Sequence, residues 1–261
     1  MNYTVEDRFI SLATYGTRAD LDDSDLFAAA TWSTSGYRLW PTEHWPDRPD
    51  AAQLNALPWL KTFTADEPFR QTVERTVDMV SAVLSDADEY DGIVCMWNAP
   101  QTLGLLYGVD RALHLPKSIL DLRVLDRQLN PDRRGRRTLW TTAAEYGIEF
   151  SDHTPETEGK ALVRTARAML AYHQLAMPFQ DLMGQQKVWH YRQSEDLVRW
   201  MQKNKRRGAD RIDRGWPVRD DQRLWHAQIL LEDWLTGTTA SDTDVRAAVE
   251  TLLDWSTKVA P

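Results

Sequence analysis

Cysteine is almost missing from this chain of 261 residues: Cys95 stands alone, which excludes an intramolecular disulfide and any zinc site built from several thiolates. The six histidines show no close pair such as His-x3-His, so no histidine metal site is expected. Long apolar runs are missing as well. No stretch approaches the about 20 residues needed to cross a bilayer, and Glu6 and Asp7 stand near the start where a signal peptide would carry its apolar core. A soluble, cytoplasmic protein with no membrane partner is the expectation. An excess of positive charge is also lacking, since 31 Lys and Arg face 39 Asp and Glu, a net charge of −8. That balance excludes a simple polybasic nucleic-acid binder but leaves room for a local basic patch. Internal repeats and low-complexity segments are absent, so solenoid architectures drop out.

What is present is an ordinary globular composition, 42% hydrophobic and 27% charged, with an unusual twelve tryptophans. They are spread from Trp32 to Trp255, as core and interface packing would spread them, not gathered into one stacking platform. Phe9 to Ala13 and Leu26 to Trp32 read as two antiparallel strands about an acidic turn, Asp20 to Asp25. Residues 36 to 60 hold Pro41, Pro46, Pro49 and Pro58 beside Trp40, Trp45 and Trp59, which predicts an irregular loop packed down by its aromatics. Asp66, Glu67 and Pro68 make a helix start, and Phe69, Val73, Val77, Val80 and Leu84 give that helix one apolar face. Gly92 to Trp97 is a short continuous apolar run, as a buried strand should be. Thr102 to Leu115 reads as a helix, and Ile119 to Leu125 as the start of a further strand or helix. Thr138 opens a helix that ends at Gly147, a good left-handed terminator. Residues 160 to 174, 185 to 207, 222 to 236 and 242 to 258 are all predicted helical. Strands first, then alternation, then helices describe an α/β domain with a helical C-terminal extension.

Several blocks, in their order and spacing, resemble the DnaQ-like (DEDD) 3′–5′ exonucleases of the RNase H-like fold, in the form found in actinobacteria and their phages. Asp121 ends a strand and is followed by Val124 to Arg127 (VLDR), Arg133 to Leu139 (RRGRRTL) and Glu145 to Ile148 (EYGI). His153 with Glu158 resembles the family's His-x4-Asp motif, and Trp97 to Pro100 (WNAP) its Asn-Ala-Pro block. Trp189 to Val218 is similar to the family's last helix and Trp-Pro ending, so the resemblance spans about residues 8 to 218. It implies a mixed central sheet in an RNase H-like domain over residues 1–180, with residues 181–261 as a helical region packed on it. Usage rich in Ala, Arg and Trp fits a GC-rich genome.

The family's chemistry needs two divalent ions about 4 Å apart, held by four acids, with a histidine as general base. On the matched positions, Ser11 and Ala13 stand where the first-strand acid pair belongs, before Thr14-Tyr15-Gly16. Thr102 stands at the third acid position, Glu158 replaces the fourth Asp, and His153 is kept. Two hydroxyls and a methyl cannot offset the desolvation of Mg²⁺, so no metal cofactor is expected. The resemblance therefore implies a catalytically inactive homologue that acts by binding a replication partner (sliding clamp or DNA polymerase) or single-stranded DNA. The alternative is an active 3′–5′ exonuclease with a rearranged site for Mg²⁺ or Mn²⁺, drawing on the acidic turn or on Asp121, Asp152 and Glu158. A third reading is the fold reused as a structural or inhibitory module.

Other residues carry two readings each. His153 is a relic base or a polar loop residue, and Cys95, beside Met96 in the apolar strand, is a small hydrophobe. Arg133, Arg134, Arg136 and Arg137 suit contact with a nucleic-acid backbone, or simply a solvated turn. Lys203, Lys205, Arg206 and Arg207 suit a helix C-terminus. Gln174, Met177 and Phe179 in QLAMPF resemble the short peptide that docks polymerase subunits on the bacterial clamp; otherwise Pro178 opens the next helix.

Overall fold

The computed structural model describes residues 9–16, 26–33, 36–41, 72–110, 113–150, 152, 154–174, 177–209, 212 and 214–218, with positions 227, 231, 234–235, 245–246 and 248–253. Five strands form one sheet: β1 (Phe9–Gly16), β2 (Leu26–Ser33), β3 (Gly36–Pro41), β4 (Ile93–Met96) and β5 (Ile119–Asp121). Their order is β3-β2-β1-β4-β5. β1 pairs antiparallel with β2, and β2 with β3, while β4 and β5 continue the other side in parallel. This order and these directions are the RNase H-like arrangement expected from the sequence.

Alternation along β1 sorts the molecule into two layers, because side chains two apart share a face. Phe9, Ala13 and Tyr15 join a core with Leu120, Leu162, Ala166 and Met169, whereas Leu12 joins the opposite core with Val77, Val80, Leu84 and Leu106. The second layer is supplied by α1 (Val73–Glu89) and α2 (Ala99–Val109). The first is supplied mainly by α5 (Pro155–Tyr172), with α3 (Leu122–Leu129) and α4 (Leu139–Glu145) beside it. Leu12, Val94, Met96, Leu106, Ile119 and Leu120 are each 1% exposed or less, so the middle of the sheet is buried.

The start of the proline-rich stretch is a correction, while residues 42–60 lie outside the described residues. Gly36–Pro41 is a strand, paired from Ser33↔Gly36 to Ala28↔Pro41, where an irregular loop was predicted. Proline is tolerated here because β3 is an edge strand and Pro41 is its last residue, so the missing N–H breaks no inner ladder. The α2 helix begins three residues before the predicted Thr102 and ends at Val109. Asp121 explains the early start: its Oδ2 accepts the Ala99 N–H at 2.8 Å, capping that helix from another element. Likewise α5 opens at Pro155 behind the Thr154 cap, and α6 (Phe179–Lys203) opens behind Pro178, both earlier than the apolar spacing indicates. Thr138 caps α4 with a reciprocal Thr141 bond, and Gly147 takes φ +70° just past its end, both as expected. The acidic turn at 20–25 and the helix start at 66–68 lie outside the described residues.

The α6 helix closes the open edge of β5 with side chains. Gln186 is fully buried; its Oε1 accepts the Asp121 N–H at 2.8 Å and its Nε2 donates to the Ile119 carbonyl at 2.9 Å. One amide thus stands in for the strand that would otherwise continue the sheet. Among the described residues no helix is long and apolar enough to cross a membrane.

Candidate functional site

Ser11 and Ala13 lie on β1, and the other two positions matched to the family's acids reach that strand from its two sides: Glu158 on α5 through Tyr15, and Thr102 on α2 through Thr14. Ser11 is 1% exposed, and its Oγ accepts the Trp32 N–H at 3.1 Å. Directly above it runs the backbone of α5 at Gly159. A methyl group on Gly159 would lie 2.6 Å from Trp32 Cβ and 2.8 Å from Ser11 Oγ, closer than packed atoms allow. Glycine is therefore what lets α5 press onto β1 and β2 at this level. Ala13 lies 6% exposed within the same core, next along that face of β1. Thr102 is equally buried on α2; Thr14 Oγ1 donates to its carbonyl at 3.4 Å, and its own hydroxyl donates to Trp97 O at 3.4 Å.

Glu158 is the one acid of the four positions, and it is held away from solvent by tyrosine. Tyr15 OH donates to Glu158 Oε2 at 2.9 Å. Burial pushes the Glu158 carboxyl up to about 7, against the opposing pull of the Tyr15 hydrogen bond, so near neutral pH it is shared between protonated and ionised forms. The Tyr15 phenol is pushed up in turn by burial and then by Glu158. From β3, Tyr37 is also pushed up, by burial first and then by Glu156 and Glu158. Glu158 thus faces two phenols and no cation in this set.

Two divalent ions do not fit this donor set. Each demands several carboxylate oxygens, whereas Ser11 Oγ is engaged with backbone, Ala13 offers a methyl, and the α5 backbone fills the space over Ser11. Among the described residues no group of three or more His, Cys, Asp or Glu could hold a metal ion. Asp121 and Asp152 do not join Glu158. Asp121 is fully buried and accepts the N–H groups of Asn98, Ala99, Arg123 and Val124 and the Trp216 indole, tying two helix starts to the Trp-Pro segment. Asp152 accepts from the Thr154 N–H and from the Thr154 and Thr157 hydroxyls at the start of α5. His153 lies outside the described residues. Cys95 is fully buried and its thiol is pushed up by burial, which suits packing and not nucleophilic chemistry.

The arginine cluster divides into two pairs. Arg133 Nη1 donates to Asp126 Oδ1 and Thr142 Oγ1, each at 2.8 Å, and Arg137 Nη1 donates to Asp126 Oδ2 at 2.8 Å. Arg137 Nη2 also reaches the Asn130 carbonyl at 2.6 Å. Asp126 is fully buried, so this triad is an internal staple. Arg134 and Arg136 point outward on either side of Gly135, whose φ of +93° turns the chain at the tip. In the QLAMPF segment, Gln174 is exposed with φ +49° after α5, Met177 is 36% exposed, and Phe179 is the first residue of α6. Gln174 thus follows the end of α5 and Met177 and Pro178 precede α6; Leu175 and Ala176 lie outside the described residues.

Sequence reasoning missed Tyr15, Tyr37 and Asp126. Tyr15 was within reach, since it shares the face of Ser11 and Ala13 by period two. Asp126 sits in the VLDR block, and its pairing with arginines seven and eleven residues later is a matter of loop geometry.

No protein-family model matches the chain, and a comparison with curated proteins finds no match either. Two solved structures are similar in shape. One is a 3′-exonuclease in specific recognition of the 3′ end of the histone mRNA stem-loop, with TM-score 0.45, 11% identity, and 65% of this chain and 84% of that one covered. The other is the RNase domain of the yeast Pop2 protein, with TM-score 0.45, 13% identity, and 65% and 79% covered. At such identity neither bears on the chemistry of this chain.

Proposed function

We propose that this chain is a catalytically inactive homologue of the DnaQ-like exonucleases, of actinobacterial or phage type, that acts by binding nucleic acid or a replication protein. One observation carries the reading: the α5 backbone at Gly159 packs so closely onto Ser11 and Trp32 that even an added methyl group would clash there. The neutral residues at 11, 13 and 102 are buried members of a packed structure, not vacant ligand positions. Glu158, the remaining acid, is raised to about 7 by burial, so it holds its charge less readily than a ligand for a hard cation should.

The test is calorimetric titration of Mn²⁺ into the full chain, followed by incubation with a 3′-labelled single strand. The expected result is no heat of specific binding and no shortening of the strand, with Glu158→Ala indistinguishable. Metal binding together with digestion that disappears in Glu158→Ala would overturn the reading and make the chain an exonuclease with a rearranged site.

A further inference from the structure

The far end of α6 gathers positive charge on a chain whose net charge is −8. Arg199, Lys203, Lys205, Arg206 and Arg207 fall between residues 197 and 209, and no acid stands among them. All five side chains are exposed. Arg199 lies 3.3 Å from Asp196, and the other four are in no ion pair among the described residues. Lys203 stands in the last turn of α6, and the remaining three follow the Asn204 cap. This end lies about 21 Å further along the helix than Gln186, at 1.5 Å per residue, so it is separate from the sheet edge that Gln186 closes.

A tryptophan belongs to the same patch. Most described tryptophans pack in or against the two cores, whereas Trp200 joins neither and is 53% exposed. Trp200 and Lys203 are three apart on the helix, which sets their Cβ atoms about 5–6 Å from each other. The basic turn is tied back onto this last turn of helix by its own hydrogen bonds. Asn204 Nδ2 donates to the Trp200 carbonyl at 2.8 Å, and the Arg206 N–H to the Met201 carbonyl at 2.8 Å. Lys205 takes φ +50°, the left-handed bend that makes this return possible. Gly208 completes it, with Met201 Cε 4.0 Å from where its Cβ would stand. An exposed indole and four unpaired cations are thus held in one fixed turn.

We propose that this end of α6 docks a short acidic segment of a partner protein. Its carboxylates meet Lys203, Arg206 and Arg207, while an apolar side chain of the segment packs on the Trp200 ring. Guanidinium forks match carboxylates two bonds at a time, and a half-exposed tryptophan is the kind of anchor that dominates small interfaces. Charge selects the size of the partner. A bilayer or a long polyanion would bring the whole acidic chain against like charge, whereas a short segment meets the local cations and is screened from the rest beyond about 8 Å at physiological salt. The surface does not rest on the catalytic reading, because it uses none of the positions matched to the family's acids.

Fluorescence anisotropy of the full chain with a labelled peptide, a run of Asp and Glu around a single Phe, tests the idea. Trp200→Ala is expected to weaken binding about tenfold. Replacing the Phe of the peptide by Ala should cost the wild type about tenfold and Trp200→Ala almost nothing, because both changes remove one shared contact. Arg206→Glu with Arg207→Glu is expected to lower affinity more than about tenfold at low salt, a gap that closes near about 1 M salt. These side chains are exposed, so the variants should keep the wild-type melting curve. If Trp200→Ala melts early, the pair of peptides on the wild type still reads the aromatic contact. No binding at low salt, equal affinity for both peptides, or a folded Trp200→Ala variant that binds like wild type would each overturn the proposal. So would tighter binding of phosphatidylserine vesicles or of a single DNA strand through the same cations, which would name a different partner. Strand digestion in Mn²⁺ would overturn the catalytic reading alone.

Discussion

Around β1 and the start of α5, polar positions are buried with their charge removed; between α3 and α4, charge is buried and kept. At the first place Ser11, Ala13 and Thr102 are buried, Ser11 directly beneath the α5 backbone, and the one carboxyl, Glu158, is held against a tyrosine hydroxyl. At the second, the fully buried Asp126 receives two guanidinium groups at 2.8 Å each. Both solutions answer the same cost, since an ionised group taken from water is strongly disfavoured unless a partner restores the lost interaction. The difference lies in what each permits. A neutral, close-packed site has no field with which to attract a cation, whereas a paired site can fix a turn and hold further arginines toward solvent.

The comparison can be broken most directly at Asp126. Asp126→Ala leaves two nearly buried guanidinium groups facing each other, and should destabilise the fold by about 3–5 kcal/mol in chemical denaturation; a loss below about 1 kcal/mol would show that the arginines relax into solvent. Next comes Glu158. Folding raises its carboxyl from 4.5 to about 7, so the folded state holds that proton more tightly than the unfolded chain. Its contribution to stability is complete below pH 4.5 and is lost as pH rises through about 7, a change of about 3 kcal/mol. Glu158→Gln should remove that slope and be relatively more stable at pH 8 than at pH 4; parallel pH profiles for the two proteins would refute the burial of this carboxyl. A smaller effect is expected from Gly159→Ala. The added methyl must displace Trp32 or lift α5, which should cost about 1–3 kcal/mol, and a neutral outcome would mean that the helix does not press on Ser11. Smallest is Thr154→Ala, which removes the cap that accepts the Thr157 N–H and should cost about 1 kcal/mol by thermal melting.

How much of this was legible beforehand varies by element. The β1–β2 hairpin, the buried strand 93–96, and the Thr138 cap with its Gly147 terminator follow from local pattern, and each stands where that pattern places it. β3 was hidden because proline density argues for loop, and only its edge position makes Pro41 acceptable. Helix starts were misplaced wherever the cap came from a distant residue, as with Asp121 for α2. At the candidate site, the uncharged residues at 11, 13 and 102 are written in the chain, but the packing of α5 onto Ser11 is not. It depends on Gly159 meeting Trp32 across more than a hundred residues of sequence.

The sequence by itself determined the alternation of β1, the caps of α4 and α5, the lone thiol and the uncharged residues at 11, 13 and 102, because these are properties of residues and their near neighbours. Only the tertiary structure decided which arginines turn inward to Asp126 and which outward, and that Tyr15 holds Glu158. Those outcomes depend on distances between segments far apart in the chain, set by how helices pack on a sheet, and no local pattern of residue types encodes them.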